Sequence, residues 1–161
     1  MSAIRAIAPH DLEAVIRLAS ATPEAPQWER SVYESLLQPG SPNQAFIAEK
    51  DGVLAAFAVA RIVLDICELD SIAVAPFARR SGLGSDLLAA VIEWARVAGA
   101  SRLQLEVRSG NHAAIAFYQR AGFTRDGLRH AYYRNPNEDA LLMSLPLPPA
   151  RERAGDGGKL L

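Results

Sequence analysis

Arg79-Arg80-Ser81-Gly82-Leu83-Gly84 is the stretch that decides the fold of this 161-residue chain. It follows a strand-like segment, residues 68–74, and opens a helix-like one, residues 85–96. Small residues at a helix start let successive backbone N–H groups converge on an anion, and the helix dipole adds positive potential there. The glycines permit close approach of a ligand. Arg79 and Arg80 stand beside the turn as phosphate partners. The run reads as a pyrophosphate seat built from Arg79, Arg80, Ser81, Gly82, Leu83, Gly84 and Ser85. A plain loop–helix turn is the competing reading. No Lys follows Gly84, which excludes a Walker A loop. Leu87 stands where a dinucleotide fingerprint needs its third glycine.

What remains, Arg79-x-x-Gly82-x-Gly84, resembles the Gln/Arg-x-x-Gly-x-Gly/Ala loop with which the GNAT acetyltransferases wrap the pyrophosphate of acetyl-CoA. The resemblance runs further along the chain. Ile72-Ala73-Val74 precedes the loop at the family's spacing. Leu105-Glu106-Val107-Arg108, the segment from Asn111 to Tyr118, and Gly122-Phe123 follow in order. Tyr132-Tyr133 and the segment from Glu138 to Met143 close the series. The set is similar to the RimI branch, bacterial enzymes that acetylate the N-terminal alanine of ribosomal proteins. It covers roughly residues 2–146. The resemblance implies acetyl-CoA as cosubstrate and a protein N-terminal amine as acceptor. A small amine or a lysine, or a catalytically silent CoA-sensing module, are the alternatives. Glu106 and Tyr118 are both present, which speaks against the silent module.

The turn signals and apolar patterns place strands at 3–8, 44–49, 53–63, 68–74, 102–108, 123–133 and 141–145. Helices fall at 9–19, around Trp28, Val32, Leu36 and Leu37, at 83–97 and at 113–120. Asp51-Gly52 marks a tight hairpin. The order β-α-α-β-β-β-α-β-α-β-β describes a mixed α/β sandwich, which is the order of the GNAT fold. On the fourth strand Cys67 and Leu69 set an apolar face of odd parity, and Ile72 and Val74 one of even parity. One inserted residue near Asp70-Ser71, a β-bulge, produces such a switch. A strand buried on both faces produces it too. Residues 1–146 form one domain. Residues 147–161 are rich in Pro, Gly and charge, and read as a flexible tail.

Half of the residues are hydrophobic, 22% are charged, and the net charge is −1. That balance suits an ordinary globular protein and gives no reason to expect nucleic acid as a partner. Cys67 stands alone, so no internal disulfide forms, which fits a cytoplasmic enzyme. It reads as a small buried hydrophobe. No apolar run reaches membrane-span length. His10, His112 and His130 lack metal-ligand spacing, so no metal site is expected. The chain is expected to work as a monomer or a weak homodimer.

Amide formation from a thioester needs a neutral amine, a polarised carbonyl and a protonated leaving thiolate. On residues 102–108, Leu103, Leu105 and Val107 share one face, and Gln104, Glu106 and Arg108 the other. By pattern alone Glu106 is a solvated strand residue; the resemblance makes it the general base. Tyr118, by pattern a core aromatic, becomes the general acid. Asn111 caps the helix that carries Tyr118, and the resemblance adds a contact to CoA. The resemblance implies that Ile72, Ala73 and Val74 present backbone N–H groups to the thioester. Tyr132, Tyr133 and Glu138 fall where the branch binds the substrate N-terminus. An edge hairpin with surface tyrosines is the plainer reading of these three. Arg125, Arg129 and Arg134 read as a solvated face.

Overall fold

The computed structural model describes residues 3–134 and 137–149. Seven strands form one sheet in the order β1-β2-β3-β4-β5-β7-β6. They are β1 (Ala3–Ala6), β2 (Asn43–Lys50), β3 (Val53–Val63), β4 (Ile66–Val74), β5 (Arg102–Arg108), β6 (Thr124–Tyr133) and β7 (Glu138–Pro146). The helices are α1 (Leu12–Ser20), α2 (Arg30–Ser35), α3 (Leu83–Val97) and α4 (His112–Arg120). Element types and order agree with the sequence reading.

Two cores lie on opposite faces of the sheet. On β2, Ala45 and Ile47 join one core, while Phe46 and Ala48 pack against the other. That alternation is the pleat of a strand covered on both sides. Helix α1 presents Leu12, Val15 and Ala19 at helical spacing to the first core, where they meet Tyr33 of α2 and Phe57 and Val59 of β3. Helix α3 presents Leu83, Leu87, Leu88, Val91 and Ala95 to the second, together with Ile115 and Tyr118 of α4.

The differences from expectation are local. The first strand ends at Ala6, and Pro9–Asp11 form a 3-10 turn before α1. Pro has no N–H, so it suits a first helical turn. Helix α2 covers only Arg30–Ser35; Trp28 precedes it and packs its ring at a tilt against Tyr33, with ring centroids 5.3 Å apart. Strand β7 is longer than the 141–145 expected, because it pairs with β5 from Arg102↔Pro146 to Arg108↔Ala140. Leu147, assigned to the tail by composition, is buried, and its N–H donates to the Ser101 carbonyl at 2.9 Å. The rest of the expected tail, residues 150–161, lies outside the described residues.

The feature that positions the site is a failure of pairing. Strands β4 and β5 are the one parallel pair among the described residues, and they match only at Ile66↔Arg102, Cys67↔Leu103 and Glu68↔Gln104. Beyond Glu68 the register of β4 on β3 slips: Val59 pairs with Ser71 and Ala60 with Leu69, leaving Asp70 as the inserted residue. The expected bulge is therefore present. Its effect on the faces is visible in the packing. Cys67 and Leu69 join the α3 core, then Ile72 and Val74 pack against that same core while Ala73 joins the α1 core. A bulge bends its strand and increases local twist. Strand β4 diverges from β5 where this bend sets in, and the sheet opens into a cleft.

Candidate active site

The cleft lies between the diverging ends of β4 and β5. Leu69, Asp70, Ser71 and Ile72 line one wall, and Leu105, Glu106, Val107 and Arg108 the other. The two strands do not pair with each other here, so backbone N–H and C=O groups are left to meet something else.

Glu106 and Tyr118 reach the cleft from opposite sides of the sheet. Leu105 and Val107 belong to the α3 core, so strand alternation turns Glu106 to the face of α1. Its side chain is 29% exposed, and Oε2 stands 3.0 Å from Nε of Arg129. Tyr118 comes from α4 on the other face. It is 6% exposed, with its ring between Phe117 and Phe123 at centroid distances of 5.2 and 5.5 Å. Burial pushes its phenol well above the ordinary tyrosine value. Asn111 caps α4: its Oδ1 accepts from the Ala114 N–H at 3.2 Å.

The start of α3 has the form of an anion seat. Arg80 and Gly82 both take left-handed φ, +63° and +86°. Gly82 is the N-cap and offers no side chain to the first-turn N–H groups of the helix. The Ser81 hydroxyl donates to the Ala78 carbonyl and fixes the turn. Arg79 Nε donates to the Val74 carbonyl at 3.1 Å, tying the loop back to the end of β4. A side chain at Gly84 meets Phe117 of α4 at 3.5 Å, so the loop and α4 lie close together.

The hairpin of β6 and β7 closes the other end. Ala131 holds φ +53°, an uncommon conformation for a residue with a Cβ, and its N–H donates to Asp139 Oδ1 at 2.7 Å. The kink brings Tyr132 and Tyr133 to the cleft. The Tyr132 phenol is raised, chiefly by the Glu106 carboxylate beside it. Tyr133 is pushed up to about 12, by burial first and by Glu106 next. Arg108 lies over the Tyr133 ring at 4.4 Å. Glu138 serves a structural purpose: it pairs with Arg108 at 3.3 Å and accepts the Gly110 N–H at 2.6 Å.

One expectation is corrected here. Arg129 does not belong to a plain solvated face. It is 57% exposed, yet it pairs with Glu106 and lies over the Tyr132 ring at 5.4 Å. The sequence pattern singles out Asp70 and Ser71 for the bulge alone and gives no signal of their side chains in the cleft. Cys67 is buried, and burial pushes its thiol up to about 12, which leaves it inert as a nucleophile. Among the described residues no three His, Cys, Asp or Glu gather to hold a metal ion. No helix among them is long and apolar enough to cross a membrane.

Residues 12–123 match the family model described as the acetyltransferase (GNAT) family. The chain belongs to that family. Its members use acetyl-CoA. The chain is 36% identical over 149 residues to the ribosomal protein bS18-alanine N-acetyltransferase of Escherichia coli, covering 91% of this chain and 99% of that one. The crystal structure of the ribosomal-protein-S18-alanine N-acetyltransferase from Escherichia coli superposes with a TM-score of 0.82 at 35% identity, over 96% of this chain and 99% of the other. A crystal structure of nourseothricin acetyltransferase matches with a TM-score of 0.75 at 31% identity, over 91% and 99% of the two chains.

Proposed function

We propose that this GNAT acetyltransferase moves the acetyl group of acetyl-CoA to the α-amino group of a protein N-terminus, the alanine of a ribosomal protein being the favoured acceptor. One observation carries the reading: the split in the sheet is flanked by a carboxylate on one face and a protonated phenol on the other. An acceptor amine entering from the α1 face meets Glu106, and a leaving thiolate on the α4 face meets Tyr118. The likeness to the Escherichia coli enzyme, over nearly the full length of both chains, supports the choice of acceptor.

Acetyl-CoA supplies the acyl thioester. First-turn N–H groups of Gly82, Leu83, Gly84 and Ser85 take its pyrophosphate. Arg79 and Arg80 stand at the loop, and Asn111 adds a side-chain contact from the α4 cap. Backbone N–H groups of the segment Ile72, Ala73 and Val74 face the carbonyl oxygen and stabilise the charge that develops there. Glu106 accepts one proton from the acceptor ammonium. The amine then forms the C–N bond to give a tetrahedral adduct, which collapses as the C–S bond breaks and Tyr118 gives its proton to sulfur. The nitrogen of the adduct gives up a second proton, which passes through water to the Tyr118 phenolate, and Glu106 releases the first to solvent, so both residues return to their starting forms and atoms and charge balance. Tyr132 and Tyr133 flank the acceptor chain. The setting is the cytoplasm, where such acceptors and a free thiol such as Cys67 coexist. The enzyme acts without a metal, as a monomer or weak dimer.

The likeness to nourseothricin acetyltransferase sustains a second reading, a small-amine acceptor on the same scaffold. A panel separates the two. Peptides with free Ala, Ser or Met N-termini, N-terminally blocked peptides with an internal Lys, and polyamines are each supplied with acetyl-CoA. The first reading expects the free Ala peptide to give the highest kcat/KM. Turnover confined to polyamines or Lys peptides would establish the second. Absence of turnover with every amine would remove both.

A further inference from the structure

The bulge in β4 does more than separate that strand from β5. Glu68 pairs in register with Arg61, and Ser71 pairs with Val59. Arg61 and Val59 share one face of β3, the face of α1. The inserted residue, Asp70, also reaches Arg61, with its Oδ2 3.1 Å from the guanidinium Nε. Asp70 and Ser71 are neighbours in sequence, and both turn to the face that carries Glu106. A regular strand cannot do this. Both line the cleft.

The protein leaves Ser71 without a partner and Asp70 with a shared one. Ser71 is 5% exposed, and its hydroxyl is buried with no hydrogen-bond partner. Buried hydroxyls are normally paired, and one aimed into a cleft points to a ligand group as its partner. Asp70 shares its cation with another carboxylate. Arg61 is shared between Glu68 at 2.7 Å and Asp70 at 3.1 Å, and Arg129 serves Glu106 at 3.0 Å. Glu68 and Asp70 thus share one guanidinium, while the lining as a whole is balanced, with Glu24 and Asp126 among its carboxylates and Arg102, Arg108 and Arg134 among its cations. Burial raises the Asp70 carboxyl above its ordinary value, and Glu68 and Glu106 add to this while Arg61 opposes it.

We propose that the Asp70–Ser71 bulge seats the terminal ammonium of the acceptor, with Asp70 holding its charge and Ser71 accepting one of its N–H groups. A primary ammonium carries three N–H donors. Asp70, Ser71 and Glu106 line one cleft and offer oxygens from the same face of the sheet. Glu106 takes the proton, and the other two hold the nitrogen while it leaves. This seat rests on the proposed acetyl transfer to an amine, and it adds a specificity: primary amines are accepted over secondary ones, which lose a donor.

The test uses the full chain, a peptide with a free Ala N-terminus, and acetyl-CoA, between pH 6.5 and 9.5. Asp70→Asn keeps shape and removes charge. Its acceptor KM should rise about tenfold or more at neutral pH, the scale of losing one charge-assisted hydrogen bond. Its KM for acetyl-CoA and its kcat should stay within about threefold of the parent. The acceptor effect should shrink as pH passes about 8, where an α-amino group loses its charge. Asp70→Glu should recover some of the affinity, and Ser71→Ala should raise acceptor KM severalfold. Glu106→Gln, by contrast, should lower kcat. A peptide beginning with N-methylalanine should be a poorer acceptor for the parent, and that preference should weaken in Ser71→Ala. An unchanged acceptor KM in Asp70→Asn, or a rise that is the same at every pH, overturns the seat. A parent protein that acetylates no amine overturns the acetyltransferase reading instead.

Discussion

Tyr118 has to serve the core and the chemistry at once. Its ring fills space between Phe117 and Phe123, and the residue also lines the cleft. Burial raises its pKa, so the proton stays on oxygen throughout the neutral range. Tyr118→Phe separates the two duties, because it keeps the ring and removes the proton. Turnover should fall by about 10²–10⁴-fold, the usual worth of acid catalysis, with CoA affinity and melting temperature nearly unchanged. Parental kcat in the Phe variant would leave Tyr118 a packing residue. At this scale the sequence is legible only through its motifs. Strand alternation turns Glu106 away from Leu105 and Val107, as the structure does, but nothing local marks it as special. Arg129 gives no signal, because its partner lies 23 positions away on a strand that is not its neighbour in the sheet.

Elements with a sharp stop at each end are legible residue for residue. Strand β3 occupies Val53–Val63 because Asp51 and Gly52, at φ +54° and +79°, make the tight turn before it. Helix α3 occupies Leu83–Val97 because left-handed Gly82 fixes its first turn. Strand β7 reads short in the sequence, since its ends are set by pairing with β5 rather than by their own residues. The opening between β4 and β5 shows in the sequence only as a parity switch; its extent is a property of two strands at once. The first turn of α3 offers a test at this scale. Position 84 has ordinary helical φ, and a Cβ there makes normal contact with Phe117 at 3.5 Å. A carboxylate in a first turn also favours the helix dipole. Gly84→Glu should therefore fold with a melting temperature near the parent's, while placing a negative charge where the pyrophosphate is proposed to sit. CoA affinity measured by calorimetry should drop at least about tenfold. Equal affinity would remove the anion seat from this helix.

The whole molecule works as two covered faces with one opening between them, so whatever locks the covers on protects the site. The N-terminal cover is fastened by a polar knot. Arg5 on β1 holds Asp11 with two hydrogen bonds, Nη1 to Oδ2 at 2.7 Å and Nη2 to Oδ1 at 2.9 Å, and Nη2 reaches Glu49 of β2 at 3.0 Å. Asp11, 4% exposed, also accepts the Ala8 N–H at 2.7 Å. The knot joins the sheet edge to the start of α1, elements that otherwise meet through apolar contacts. Arg5 holds the Asp11 carboxyl below the ordinary carboxylate range, with the Ala8 N–H contributing. A carboxylate depressed in the folded state contributes stability above its unfolded pKa of about 4 and loses that contribution as pH falls through the folded value. Asp11→Ala strands the Ala8 N–H and leaves Arg5 with Glu49 alone, so at pH 7 it should cost about 1–3 kcal/mol by urea unfolding. For a chain of this size that is a fall of several degrees in melting temperature. The difference between parent and variant should then narrow steadily below pH 4, because acid removes from the parent what the mutation removed from the variant. A difference that persists undiminished at pH 3 would assign the loss to packing around Asp11 and leave the knot without its electrostatic role.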